Sequence, residues 1–196
     1  SEMLWRTMSQ GLPDDPFLPL YLAQAWGLVP AHFNVYLARA QYDWEPRWEE
    51  YAAELRALRE RVEKLKTAPV AEIVTIDAPT TRDIDDGFSL EATADGFILR
   101  QALACPPFGW EFGSPLDSAG QHRFSSLYLP EGTSHMLPEE LGTDFFSLVG
   151  GTERPALVIT FDLDSEAGLR RVMPEIGWVR VAANLTYAGV EEDLAR

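Results

Sequence analysis

Apolar residues change their spacing once along the chain, near Pro69, and the change divides the sequence in two. Before it, Phe17, Leu20, Tyr21 and Leu28 form one helical stripe and Phe33, Tyr36 and Leu37 another, with Pro30 and Pro46 as punctuation. Trp48, Tyr51, Leu55, Leu58, Val62 and Leu65 then recur at alternating steps of three and four, with Glu and Arg between them. That spacing predicts an amphipathic helix whose apolar face is packed. After Pro69 the runs 70–76, 88–91, 97–104 and 156–163 predict strands, bounded by turn residues at 94–96 and 164–168. Between them, 116–127 predicts a helix, 129–138 a proline-bounded loop and 139–141 a short turn, and a new helix begins near Tyr187. The expected fold class is α+β: a helical N-terminal domain or linker over 1–68, helix-turn-helix-like in outline, then a mixed sheet with helices over 69–196.

Composition narrows the picture. With 46% hydrophobic and 11% aromatic residues the chain is far from the composition of disordered proteins, so it is expected to fold. No apolar run approaches a membrane span and the N-terminus lacks a basic-then-apolar leader, which gives a cytoplasmic reading with no membrane partner. A lone Cys105 excludes an internal disulfide framework and a Cys-type zinc site, and reads as a small buried hydrophobe. His32, His122 and His135 each stand alone and mark no chemistry. Sixteen basic against 31 acidic residues leave a net charge of −15, most of it after Pro69. Phosphate backbones are met by clustered Lys and Arg, so any nucleic-acid reading must find its basic path away from the acidic segment.

The informative segment is TIDAPTTRDIDDGFSLE, which sets Asp77 at the end of a strand and Asp83, Asp85 and Asp86 in one tight turn. Four carboxylates held this close raise one another's pKa unless a cation compensates. Magnesium fits that need, being a hard ion held by a few carboxylates together with substrate phosphate, and two such ions can activate water and stabilise a leaving oxygen. An EF-hand loop is excluded: counted from Asp83, Phe88 stands where the turn glycine belongs and Ala94 where the final Glu belongs. On the residues alone, a solvated acidic turn, a divalent phosphoesterase site and a generic cation site all remain open.

The order of motifs around this segment resembles the ribonuclease II/R (RNB) family. Its TID and DIDD elements fit Asp77, Asp83, Asp85 and Asp86 residue by residue. GSPLD at Gly113 to Asp117, YLPEG from Tyr128, MLPEEL from Met136, FSL from Phe146, ER at Glu153 and Arg154, and LTY ending at Tyr187 follow in family order. The resemblance covers 70–196 and implies the N-terminal part of an RNB catalytic domain: a magnesium-dependent exoribonuclease that hydrolyses single-stranded RNA from 3′ to 5′ and releases nucleoside 5′-monophosphates, with no DNA substrate. It further implies that Asp77, Asp83, Asp85 and Asp86 hold Mg2+, that Asp85 and Asp83 are catalytic with Asp85 the most indispensable, and that Tyr128 and Tyr187 bind the reacting end of the RNA.

Three departures bear on activity. Where the family reads HIAD, this chain has ALAC at Ala102 to Cys105, followed by Pro106 and Pro107, so an acid is missing. Ala182 and Asn184 stand where basic residues usually precede LTY, which weakens the expected phosphate grip. The later half of the domain and an OB-type RNA-binding domain are not in the sequence, so the chain reads as a piece of a longer protein with little activity of its own. The competing expectation is a catalytically degenerate RNB-like RNA-binding or regulatory protein, and a third is an interaction scaffold that uses the N-terminal helices.

Overall fold

The computed structural model describes residues 2–130 and 132–195. The chain divides into two compact units, Ser1–Pro46 with Leu129–Gly132, and Arg47–Tyr128 with Thr133–Arg196. The division falls at Pro46, upstream of the expected boundary at 68, because the long amphipathic helix belongs to the second unit.

In the first unit, α1 (Glu2–Met8), α2 (Leu18–Ala25) and α3 (Val35–Arg39) are short. Asn34 caps α3 by accepting from the Tyr36 and Leu37 amides, both at 3.2 Å. Phe17 sits 6.2 Å from Tyr36, ring to ring, yet none of the three helices contains a buried residue. Of the two N-terminal stripes, Phe17, Leu20, Phe33 and Leu37 are half-buried while Tyr21, Leu28 and Tyr36 are exposed. At five residues, α3 has under two turns to offer as the second helix of a helix-turn-helix.

The second unit opens with a 3-10 turn (Trp48–Tyr51) and α4 (Ala52–Lys64), followed by β1 (Ala71–Asp77), β2 (Asp86–Thr93) and β3 (Gly96–Ala104). After α5 (Pro115–Arg123) come the paired short strands β4 (Leu127–Leu129) and β5 (Gly132–Ser134), whose residues Leu129 and Gly132 are assigned to the first unit, and then a π-helical turn (Leu141–Phe145). Then β6 (Glu153–Asp164), β7 (Leu169–Thr186) and α6 (Tyr187–Leu194) complete the described chain. Five strands close a barrel in the order β1-β2-β3-β6-β7, with β1 parallel to β7 and the other paired neighbours antiparallel. Closure leaves these strands no free edge.

Inside the barrel, Ile73, Ala102, Ala156, Val158, Val179 and Val181 are buried together with Ile84 and Leu148. Ala156, Val158 and Thr160 alternate along β6 as the period of two requires. A second cluster lies under α4, where Leu55, Leu58 and Val62 pack with Leu116, Leu141, Phe146 and Trp178. Full burial of each such aliphatic side chain contributes about 1.5–3 kcal/mol. Leu65, at the end of the predicted stripe, is the helix C-cap and 51% exposed.

Three elements differ from expectation. β7, the longest strand, is absent from the pattern because Arg170, Arg171, Pro174 and Gly177 interrupt it. Gly177 has a packing role: a Cβ there would meet Val70 Cγ2 at 3.0 Å, and Val70 N–H donates to the Trp178 carbonyl at 2.7 Å as the chain enters β1. α5 stops at Arg123, short of residue 127, because Phe124 takes a φ of +63°. The expected loop at 129–138 contains β5.

Candidate active site

Asp77 ends β1 in register with Thr186 of the parallel β7, so the next residue, Tyr187, leaves the same end of the barrel. Thr186 caps α6 by accepting the Gly189 amide at 3.2 Å, and Tyr187 is the first helical residue. The aspartate loop between β1 and β2 is held by Ile84, which is buried at 6% while its neighbours Asp83 and Asp85 are half-buried and exposed.

Ser147 and Leu148 clamp that one peptide from the opposite side. Ser147 Oγ accepts from Ile84 N–H at 3.0 Å and donates to the Arg82 carbonyl at 2.8 Å, and Leu148 N–H donates to the Ile84 carbonyl at 3.0 Å. Arg154 Nε in turn donates to the Ser147 carbonyl at 3.1 Å. Downstream, Ala104 N–H donates to the Asp85 carbonyl at 2.7 Å. Gly87 belongs to β2 and is not a turn glycine: a Cβ would stand 2.8 Å from the Val74 carbonyl oxygen and 2.9 Å from Ile73 Cδ1. The FSL, ER and DDG motifs thus serve to fix where the aspartates emerge.

Asp85 lies within reach of the other three acids. The Asp85 carboxyl is raised above the usual range, first by removal of water around it and then by the charges of Asp83, Asp86 and Asp77. Asp77 Oδ2 is buried with no hydrogen-bond partner, an arrangement that costs free energy unless something positive approaches it. Tyr128 donates its hydroxyl to Asp83 Oδ2. Burial, then the Asp83 hydrogen bond and the charges of Asp83 and Asp85, push this phenol up to about 12. Asp83 and Tyr128 line an open hollow of about 530 Å³ with Arg82, His135, Glu139 and Thr143. His135, isolated in the sequence, is thereby placed at the site.

The donor set fits magnesium in kind and charge: hard carboxylate oxygens, mutually repelling, one of them buried and orphaned. Among the described residues no three Asp, Glu, His or Cys side chains converge on a single metal position, so the acids are gathered around the loop without forming a closed cage. Magnesium commonly retains waters and takes phosphate ligands, which makes an open set serviceable.

Several flanking motifs carry structure. Ser114 caps α5, and Asp117 accepts from Gly113 N at 2.7 Å, Trp110 Nε1 at 2.9 Å and Gln121 Nε2 at 2.7 Å. The Gly113 amide above all holds the Asp117 carboxyl below the usual carboxylate range. Asn184 donates to Thr75 Oγ1 at 2.9 Å and the Leu148 carbonyl at 2.8 Å and accepts from Gly150 N at 2.6 Å, so it ties β7 to β1 and to the loop after FSL. In ALAC, Ala102 fills the barrel core, and burial pushes the Cys105 thiol up.

Residues 62–196 match the family described as RNB domain. Exoribonuclease 2 of Edwardsiella piscicida is 37% identical over 121 residues, which is 61% of this chain and 19% of the relative, so the chain spans about a fifth of that protein's length. RNase R of Mycoplasma genitalium, solved in complex with ribose methylated single-stranded RNA, superposes with a TM-score of 0.61 at 21% identity over 93% of this chain and 27% of that one. Yeast Ssd1, a pseudonuclease, superposes at 0.57 and 19% identity over 63% of this chain and 15% of its own. The family match takes in the barrel, the aspartate loop and every motif from GSPLD to LTY, and the chain belongs to the RNB-domain family.

Proposed function

We propose that this chain contributes the acidic part of the active site of a 3′-to-5′ exoribonuclease that hydrolyses single-stranded RNA to nucleoside 5′-monophosphates with magnesium, in the cytoplasm and without a DNA substrate. The observation that carries the reading is Asp77 Oδ2, buried and unpartnered at the end of β1, with the clamped segment that bears Asp83, Asp85 and Asp86 following it. These four carboxylates are the groups that would hold Mg2+, which when bound supplies charge neutralisation and Lewis-acid polarisation at the scissile phosphodiester. Asp85 feels the other three most directly, which makes it the least replaceable. Tyr128 orients Asp83 through its hydroxyl and stays protonated at neutral pH, so the same O–H can be shared with a phosphate oxygen. The rings of Tyr128 and Tyr187, 61% and 60% exposed, are free to stack a terminal base of any identity.

The test is release of monophosphates from a labelled oligoribonucleotide by the protein that carries this chain, with magnesium, beside Asp85→Asn. Loss of release in the variant with RNA binding kept supports the assignment, and equal release from both contradicts it. One observation favours a second reading, a catalytically degenerate RNA-binding or regulatory relative: Cys105 is buried where the family places an acid, one residue from Ala104, whose amide holds Asp85. Salt-dependent RNA binding with no monophosphate release from the unmodified protein would select it.

A further inference from the structure

Arg123 ends α5 and is only 8% exposed. Burying a cation is expensive, and replacing buried charged groups with well-packed apolar ones is often neutral or stabilising, so stability alone does not account for this residue. Its contacts point to another use. Nε donates to the His135 carbonyl at 2.7 Å and Nη2 donates to the Ser134 hydroxyl, so one planar fork grips two consecutive residues at the end of β5. The guanidinium carbon lies 5.7 Å from the centre of the Trp48 ring, and Trp48 packs against the core cluster under α4. Between Arg123 and Ser134 runs the segment that carries Tyr128 to Asp83. The chain leaves α5 through Phe124, whose φ of +63° is strained for a bulky residue. Phe124 is 86% exposed, so its own side chain does not hold it there. Beyond it β4 pairs with β5, with Tyr128 in the middle of β4, and the Ser126 hydroxyl accepts from the Met136 amide at 2.9 Å. Arg123 joins the residue before this hairpin to the residues after it.

We propose that Arg123 is a positioning residue for the candidate site: its buried fork holds the end of β5 so that the β4–β5 hairpin sets Tyr128 against Asp83 and His135 into the same hollow. The inference rests on the nuclease reading above, in which Tyr128 orients Asp83, and adds the group that orients Tyr128. A lysine offers no equivalent, because its ammonium is a point charge without the planar fork that fixes both acceptors at once. The strained turn at Phe124 fits the same account: an unfavourable backbone conformation persists only where its surroundings over-determine it, and here the residue just before it is fastened to the far end of the hairpin.

The experiment is fluorine NMR of the whole chain labelled with 3-fluorotyrosine, without metal or RNA. The chain has six tyrosines, and the line missing from Tyr128→Phe is that of Tyr128. Ser134→Ala removes one acceptor and leaves the guanidinium on Trp48. In it the Tyr128 line is expected to shift toward the position of a solvated fluorotyrosine peptide, while the Tyr51 and Tyr187 lines stay. Arg123→Lys is expected to shift it further, and Arg123→Ala to bring it to the peptide position. A role confined to stability would lower the unfolding midpoint of these variants and leave the Tyr128 line in place, which would overturn the proposal. A Tyr51 line that moves as far as that of Tyr128 in Ser134→Ala would show general loosening and overturn it too. Because Ser134→Ala removes a single oxygen, it keeps the test decisive if loss of the guanidinium unfolds the chain. Monophosphate release by the carrier protein with an unmoved line would remove the tie and keep the nuclease reading. A moved line with no release would keep the tie and remove the nuclease reading.

Discussion

Replacing Ser147 with Ala removes one oxygen and tests whether the aspartate loop is held by the segment that follows the π-helical turn. Ser147 is 1% exposed, and its hydroxyl serves the Ile84 amide at 3.0 Å and the Arg82 carbonyl at 2.8 Å. The buried Ile84 amide would lose its acceptor, which costs about 1–3 kcal/mol, while the Arg82 carbonyl, on an exposed residue, can turn to water for less. A total of about 2–3 kcal/mol corresponds to a fall of roughly 5–10 °C in the unfolding midpoint for a domain of this size. Mg2+ affinity, measured by titration calorimetry at a temperature where both forms are folded, should fall as well, because Asp83 and Asp85 flank the released peptide. Thr143→Ala is the control: its hydroxyl, exposed, donates to the Glu139 carbonyl one turn back, and its loss should cost under about 0.5 kcal/mol. A Ser147→Ala protein that unfolds and binds Mg2+ like the unmodified chain would refute the clamp.

Further outcomes follow from the same contacts. Gly87→Ala should destabilise the barrel by about 1–3 kcal/mol in urea unfolding, since the new Cβ would meet the Val74 carbonyl at 2.8 Å; an unchanged midpoint would contradict that close approach. Asp117 has its folded pKa below its unfolded value of about 3.9, so its stabilisation is fully present above that pH and is lost as pH falls through the depressed folded pKa. Acid unfolding of Asp117→Ala should therefore lack part of the pH dependence of the unmodified chain, and superimposable acid profiles would refute the assignment. Tyr128 ionises near 10 when unfolded and at about 12 when folded, so over that interval the unfolded state sheds its proton first and stability declines as pH rises. Difference ultraviolet titration against Tyr128→Phe should show the missing phenolate step close to 12, and a step near 10 would show that the Asp83 contact is not kept.

What the sequence revealed depended on whether the signal was local. The aspartates lie in one short run, and Leu55, Leu58 and Val62 recur on one helical face, so both were visible; α4 adopts the predicted helix, whereas Asp86 opens β2 and is not part of the expected turn. The clamp was hidden because it joins residues 63 and 65 positions apart, and no spacing rule links Ser147 to Ile84 and Arg82. FSL and ER were visible as family-like strings, but their physical role emerges only when Arg154 is seen on the Ser147 carbonyl. β7 was obscured by Pro174 and Gly177, which read as breakers yet lie within a strand that pairs β6 along its first part and β1 along its last. Asn184, taken as a lost basic residue, proved to be engaged in three structural hydrogen bonds, a use that depends on Thr75 and Gly150 arriving from distant segments. The stripes of α2 and α3 show the converse limit: periodicity marks an apolar face without saying what covers it.

The most direct measurement of the central claim is anomalous diffraction from crystals of this chain soaked in Mn2+ as a substitute for Mg2+, together with the Asp85→Asn form. The account predicts anomalous density bounded by the carboxylates of Asp77, Asp83, Asp85 and Asp86 in the unmodified chain, and its loss or marked weakening in the variant. Density elsewhere, or none at this loop while the four carboxylates are solvated separately, would contradict it.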